Sequence, residues 1–108
     1  MRQWLVNPKF LCRKHLLGEH VEHHMFAGTI LKKSKLKGYL DKGLLQVETL
    51  ESRHNELVKE MISRGYNHKS EFPKIKLWKE GKINISDNIE DLKKRCSECK
   101  KRIESLNS

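Results

Sequence analysis

Apolar residues recur at three- and four-residue steps in three separate stretches of this chain, and no stretch alternates in the two-residue rhythm of a strand. The clearest stretch is Leu44, Val47, Leu50, His54, Leu57, Val58, Met61 and Ile62, which puts one stripe along a helix and leaves Gly65 where a C-terminal cap belongs. Near the start, Asn7-Pro8 reads as an N-cap followed by proline at the first helical position. Good helix formers then run from Lys9 to about Met25, before Gly28 interrupts. Towards the end, Ser86 or Asp87 caps a third helix with the stripe Ile89, Leu92, Cys96, Cys99, Ile103 and Leu106, which requires both cysteines on the buried side.

The stretches between are less regular. Residues Thr29 to Gly43 interleave Lys32, Lys33, Lys35 and Lys37 with Ile30, Leu31 and Leu36, the pattern of a basic loop or a broken helical turn facing phosphates. Residues Tyr66 to Asn84 contain Pro73 and Gly81 and read as an ordered loop anchored by its aromatic side chains, with Trp78 expected as a buried anchor. The expected fold is all-α: a single domain over residues 1–108, with three main helices joined by long basic connecting loops.

Charge narrows the possible partners. Lys and Arg number 23 against 14 Asp and Glu, a net charge of +9. Such a surface attracts polyanions, nucleic acid foremost and an anionic membrane face second. No run approaches the ~20 apolar residues of a membrane span. The opening Met1-Arg2-Gln3-Trp4-Leu5-Val6 lacks a signal peptide's apolar core, so a cytoplasmic protein (of a host cell, if viral) with no membrane partner is expected. Three cysteines, an odd number, fit free thiols in a reducing compartment.

On the first helix, His15, Glu19 and Glu22 fall at i, i+4 and i+7, on one narrow face bordered by Leu11, Cys12 and Phe26. Two carboxylates and an imidazole beside apolar neighbours are either a helix-surface ion-pair network or charges set in place for chemistry. Glu19 reads as structural, paired with Arg53 or Arg64 of the second helix.

The stretch Cys12-Arg13-Lys14-His15-Leu16-Leu17-Gly18-Glu19-His20-Val21-Glu22, with its His-Leu-x-x-Glu-x-x-Glu spacing, resembles the first helix of the pyrimidine-dimer DNA glycosylase family, the phage type of endonuclease V. A second block, Arg53 to Lys69, is similar to that family's second helix and its Arg-Gly-aromatic-Asn turn. The resemblance implies an all-helical fold and attack by the N-terminal α-amine on the sugar of the damaged nucleotide. It also implies a catalytic glutamate on the first helix. Carried across by motif, the glutamate is Glu22, the basic residue after the nucleophile is Arg2 and the helix-one histidine is His15. Met1 lies 21 positions before Glu22, the family's separation, and the bulk of Arg2 predicts that Met1 is retained as nucleophile.

An α-amine suits this chemistry because attack on C1′ needs the neutral form. With an ordinary pKa near 7.8 roughly 10–20% is neutral at pH 7, against about 0.04% of a lysine. The catalytic pair expected is thus Met1 and Glu22, with DNA contacts from Arg2, Arg13, Lys14, His15, His20, His24, Lys32 and Lys33. The partner expected is double-stranded damaged DNA, bound by a monomer without a cofactor. Two departures from the resemblance stand out. Val21 and Met25 occupy positions where the family commonly has arginines, and the ending Glu104-Ser105-Leu106-Asn107-Ser108 lacks the family's aromatic tail.

Three rival readings accompany this one. Cys12-x-x-His15 and Cys96-x-x-Cys99 together make a Cys₃His zinc set if the first and third helices touch, although thiols on a core stripe argue for no metal. The clustered His20, His23 and His24 are read as facing phosphates or solvent rather than a metal. The remaining rivals are a basic helical module that binds DNA without catalysis, and an abasic-site lyase with a different lesion preference.

Overall fold

Asn7 opens the first turn as its sequence implies, its Oδ1 accepting the Lys9 N–H at 3.0 Å with Pro8 following. The computed structural model describes residues 1–68 and 71–106, which leaves Lys69, Ser70, Asn107 and Ser108 of the segments discussed above outside the described residues. The turn is only a 3₁₀ turn, Pro8–Phe10. Leu11 and Cys12 are extended, and helix α1 spans Arg13–Leu31. This break delivers Phe10 and Leu11 to the core from a different angle than a continuous helix would, and both are buried.

Gly28 does not interrupt α1. Phe26 and Ala27 beside it are fully buried and Ile30 packs on the same apolar cluster, and that burial outweighs the roughly 1 kcal/mol by which glycine weakens a helix. The expected basic loop contains a short helix α2, Lys37–Asp41. A 3₁₀ turn at Val47–Thr49 leads into α3, Leu50–Ser63. The chain leaves α3 through Gly65 at φ +86°, and the Tyr66 N–H reaches back to the Met61 carbonyl at 2.9 Å, as a left-handed C-terminal cap requires.

The segment from Tyr66 to Asn84 has no regular structure among its described residues. Phe72 and Leu77 anchor it to the core, but Trp78 is 41% exposed with its indole N–H donating to Glu80 Oε1 at 2.7 Å, so the expectation of a buried Trp78 is corrected. The polar end of its ring has a partner at the surface, where burial would have had to supply one.

The third predicted helix is two. Asn84, rather than Ser86 or Asp87, caps α4 (Ile85–Arg95) by accepting the Asp87 N–H at 3.0 Å. The chain turns extended at Cys96, and α5 follows over Ser97–Leu106. The three-helix expectation therefore becomes five α-helices among the described residues, with the all-α class intact and no strand.

Two apolar clusters organise the chain. One gathers Trp4, Phe10, Leu11 and Leu16 with Leu57 and Met61 of α3, Leu92 of α4 and Ile103 of α5. The other gathers Phe26 with Leu36, Leu45, Val47 and Leu50, and takes in Met1 and Phe72 at its margin. Helix α1 contributes to both. Glu19 on α1 is fully buried against Arg53 of α3, with Arg53 Nε to Glu19 Oε2 at 2.7 Å and Nη2 to Oε1 at 2.9 Å. Glu19 is therefore structural and its partner is Arg53. Arg64 instead pairs with Glu60 and donates to the carbonyls of Pro8 and Leu11.

Candidate active site and two donor clusters

The N-terminal segment is held from its second, third and fourth residues. Gln3 is fully buried and every polar atom of its side chain is engaged. Its Nε2 donates to Thr49 Oγ1 at 3.0 Å and lies 3.0 Å from His23 Nε2, and its Oε1 accepts the Gln46 N–H at 2.7 Å. The Gln3 N–H donates to the Leu44 carbonyl at 2.8 Å. His23 Nδ1 donates to the Glu19 carbonyl at 2.8 Å, which makes Nε2 the acceptor for Gln3. Burial lowers the His23 pKa to about 4, so the ring is neutral, as this arrangement needs.

His23 is the residue after Glu22. Its bond to Gln3 lays the first residues of the chain along the turn of α1 that carries Glu22, itself only partly buried. The Met1 side chain packs on the cluster containing Phe26, one helical turn beyond Glu22. Arg2 sits within the electrostatic reach of the Glu22 carboxylate. Its guanidinium is also tied to α4, by Asn88 Oδ1 at 2.7 Å and Asp91 Oδ2 at 3.2 Å, and lies 3.7 Å from the centre of the Trp4 ring. A phosphate at Arg2 would have to share these partners.

The other expected DNA contacts divide into two groups. Arg13 and Lys14 at the start of α1, and Lys32 and Lys33 just beyond its end, are exposed. The 19 residues of α1 hold the two pairs roughly 28 Å apart at about 1.5 Å per residue. The histidines face inward instead. His20 is 9% exposed, in contact with the rings of His24, His54 and His68, and burial followed by its histidine neighbours lowers its pKa to about 4. His24 Nε2 is 3.1 Å from His54 Nε2 on α3. The reading of His20, His23 and His24 as facing phosphates or solvent is corrected for His20 and His23, which are buried.

His15 does not accompany Glu22. Its Nδ1 lies 3.2 Å from Cys12 Sγ and 3.6 Å from Cys99 Sγ, with Cys12 Sγ 3.8 Å from Cys96 Sγ. The narrow face expected from His15, Glu19 and Glu22 is thus shared among three neighbours: the thiols, Arg53 and the N-terminal segment. Burial pushes the Cys99 thiol up to about 12. Burial would also raise Cys96, but hydrogen bonds from Cys99, Cys12 and the Glu98 backbone bring it below the ordinary thiol range.

Gln3 and Thr49 carry no signal in the sequence. Arg53 shows there as a cation offered to Glu19, and His23 only as one of three clustered histidines.

The chain belongs to a family of DNA glycosylases. That family is the pyrimidine dimer DNA glycosylase family, whose family model matches residues 1–74. No curated protein and no solved structure matches the chain. The matched residues carry α1, α2 and α3, while α4 and α5 lie beyond them.

Proposed function

We propose that this protein excises pyrimidine dimers from double-stranded DNA and then cuts the strand as an abasic-site lyase, with the Met1 α-amine as nucleophile. The amine nitrogen attacks C1′ of the damaged nucleotide and the C1′–N bond breaks. The base departs with its electron pair and is protonated. The C1′–O4′ bond then breaks, O4′ taking a proton as the sugar ring opens, and loss of the amine protons leaves an imine between Met1 and C1′. The imine acidifies the C2′ proton, and its removal expels the 3′ phosphate by β-elimination. Glu22 as carboxylate stabilises the cationic sugar while the glycosidic bond breaks and then relays protons.

The observation that supports this reading most is the Gln3–His23 bond, since it fixes the chain two residues from the amine against the residue next to Glu22. Arg13, Lys14, Lys32 and Lys33 hold the duplex by its phosphates, and selection comes from the weakened stacking of a damaged pair, which lowers the energy of flipping.

Val21 and Met25 favour a second reading in one respect. Both are about half exposed on α1 to either side of Glu22, offering apolar contact where the family commonly offers arginine, and in this reading the preferred lesion is an oxidised base or a plain abasic site instead. Borohydride trapping separates the possibilities. Covalent capture of both UV-irradiated and abasic duplexes supports the dimer glycosylase, capture of abasic DNA alone supports the second reading, and no capture on either removes the imine mechanism.

A further inference from the structure

Two pairs of metal-binding side chains meet where α1 and α5 begin. Cys12 is the N-cap of α1, with His15 in its first turn. Cys96 immediately precedes α5, with Cys99 in its first turn. The break between α4 and α5 creates this meeting, because an unbroken third helix would have carried Cys96 along its own axis. Cys12 Sγ and Cys96 Sγ are 3.8 Å apart, and His15 Nδ1 stands 3.2 Å from Cys12 Sγ and 3.6 Å from Cys99 Sγ. All four donor atoms lie within 4.8 Å of one another. A tetrahedral zinc with Zn–S near 2.3 Å and Zn–N near 2.0–2.1 Å has S···S edges of about 3.8 Å and S···N edges of about 3.5 Å. The three separations given above lie close to those edges, and the other three are within 4.8 Å.

Backbone donors and helix ends face the sulfurs. The Cys12 N–H points at Cys99 Sγ at 3.2 Å and the Cys99 N–H at Cys96 Sγ at 3.4 Å. The positive ends of two helices, of 19 and 10 residues, converge on the cluster, and α1 has no acidic residue in its first turn to offset its own.

We propose that Cys12, His15, Cys96 and Cys99 form a structural zinc site that fastens α5 to the start of α1. Binding releases the three thiol protons to solvent and takes the neutral imidazole as it is. Two of the ligands lie in α1's family-matched segment and two lie beyond residue 74, so the ion docks this chain's own C-terminal helices onto the matched part. The proposal does not depend on the glycosylase reading.

The untagged full-length protein, purified without chelator, is expected to carry zinc that survives dialysis. Replacement by Co²⁺ is expected to give thiolate-to-cobalt charge transfer in the near ultraviolet and the intense visible bands of a tetrahedral ion. Cys96→Ser should weaken binding on the order of 100-fold or more. His15→Cys, which keeps four tetrahedral donors, should retain the ion with stronger charge transfer. The cobalt spectrum of the unaltered protein needs no variant to fold. Three freely titrating thiols without charge transfer would overturn the proposal, as would a Cys12–Cys96 disulfide with no metal.

A second cluster is carried by a separate observation. His20 and His24 of α1, His54 of α3 and His68 beyond it bring four ring nitrogens within 4.8 Å of one another. His20 Nε2 and His68 Nε2 are buried with no hydrogen-bond partner, a condition that protein interiors rarely tolerate. His54 Nδ1 pairs with Asn55 Oδ1 at 3.0 Å, which turns the lone pair of His54 Nε2 towards the cluster. Phe72 covers His54 at 5.4 Å between ring centres.

The geometry points to a second divalent site here, all imidazole, of the kind that takes zinc, nickel or copper. Titrating protein that carries a single equivalent of zinc with Ni²⁺ is expected to show one further equivalent bound, without thiolate charge transfer. His24→Gln, at a partly exposed position, should abolish that equivalent while the cobalt signature of the thiol site persists. No additional equivalent, or one unaffected by His24→Gln, would remove this site.

Discussion

Replacing Glu19 with leucine tests whether the junction of α1 and α3 rests on a single ion pair. Side-chain exposure is 0% for Glu19 and 2% for Arg53, so the substitution strands a cation away from water. Burial alone would lower the Arg53 pKa, but its bonds and charge interaction with Glu19, then with Glu56, raise it, so the guanidinium stays charged. Losing one member of a buried pair costs about 3–5 kcal/mol. The lower end is expected here, because Arg53 also donates to the Val6 carbonyl at 2.6 Å and keeps the half-exposed Glu56. A loss of about 3 kcal/mol, divided by a urea slope of roughly 1–3 kcal/mol/M, lowers the unfolding midpoint by about 1–3 M. Arg53→Leu should behave similarly, and the double variant Glu19→Leu/Arg53→Leu should recover part of the loss, since neither charge is then abandoned. Urea melts of the four proteins give the coupling directly. A coupling below about 0.5 kcal/mol would refute the reasoning, showing that Glu56 and the Val6 carbonyl suffice for Arg53.

Four further outcomes follow from the geometry. Glu22→Gln should lower the single-turnover rate of base excision by roughly 10²–10⁴-fold while duplex affinity in a gel-shift assay changes only a few-fold; efficient excision by this variant would remove Glu22 from the mechanism. Acetylation of the Met1 amine should abolish borohydride trapping, and trapping that persists would assign the imine to a lysine. Gly81→Ala should destabilise by at least about 2 kcal/mol in thermal or urea unfolding, because its φ is +88° and an added Cβ would stand 2.2 Å from the Leu45 carbonyl oxygen. Gly43→Ala, at φ +68° with 3.6 Å to its nearest neighbour, should cost only about 1 kcal/mol.

The helical class was legible because periodicity of three and four is a local property, and the run from Leu50 to Ile62 with Gly65 behind it carries both stripe and stop signal. The boundaries that escaped depend on distant partners. Nothing within Leu11-Cys12 announces an extended break; it follows from the core that accepts Leu11 and the thiols that meet Cys12. Cys96 likewise continues the stripe of Leu92 and Ile103 without gap, so the bend there was hidden by a pattern that a straight helix satisfies equally well. At the site, the spacing of His15, Glu19 and Glu22 was read correctly as a face, but a face records direction and not company. Glu19 found its arginine because opposite charges can be matched by inspection, whereas the partnership of Gln3 with His23 joins two neutral groups 20 positions apart and leaves no mark in composition or charge.

Asn88 on α4 donates to the Trp4 carbonyl at 2.8 Å, and Asp91 holds Arg2 from the same helix. A polypeptide cut back to residues 1–74 would therefore keep Glu22 yet lose the brackets around its own leading end. Shortening the protein from the back should blunt it at the front, which makes the tail portion a working part of the tool and not its handle.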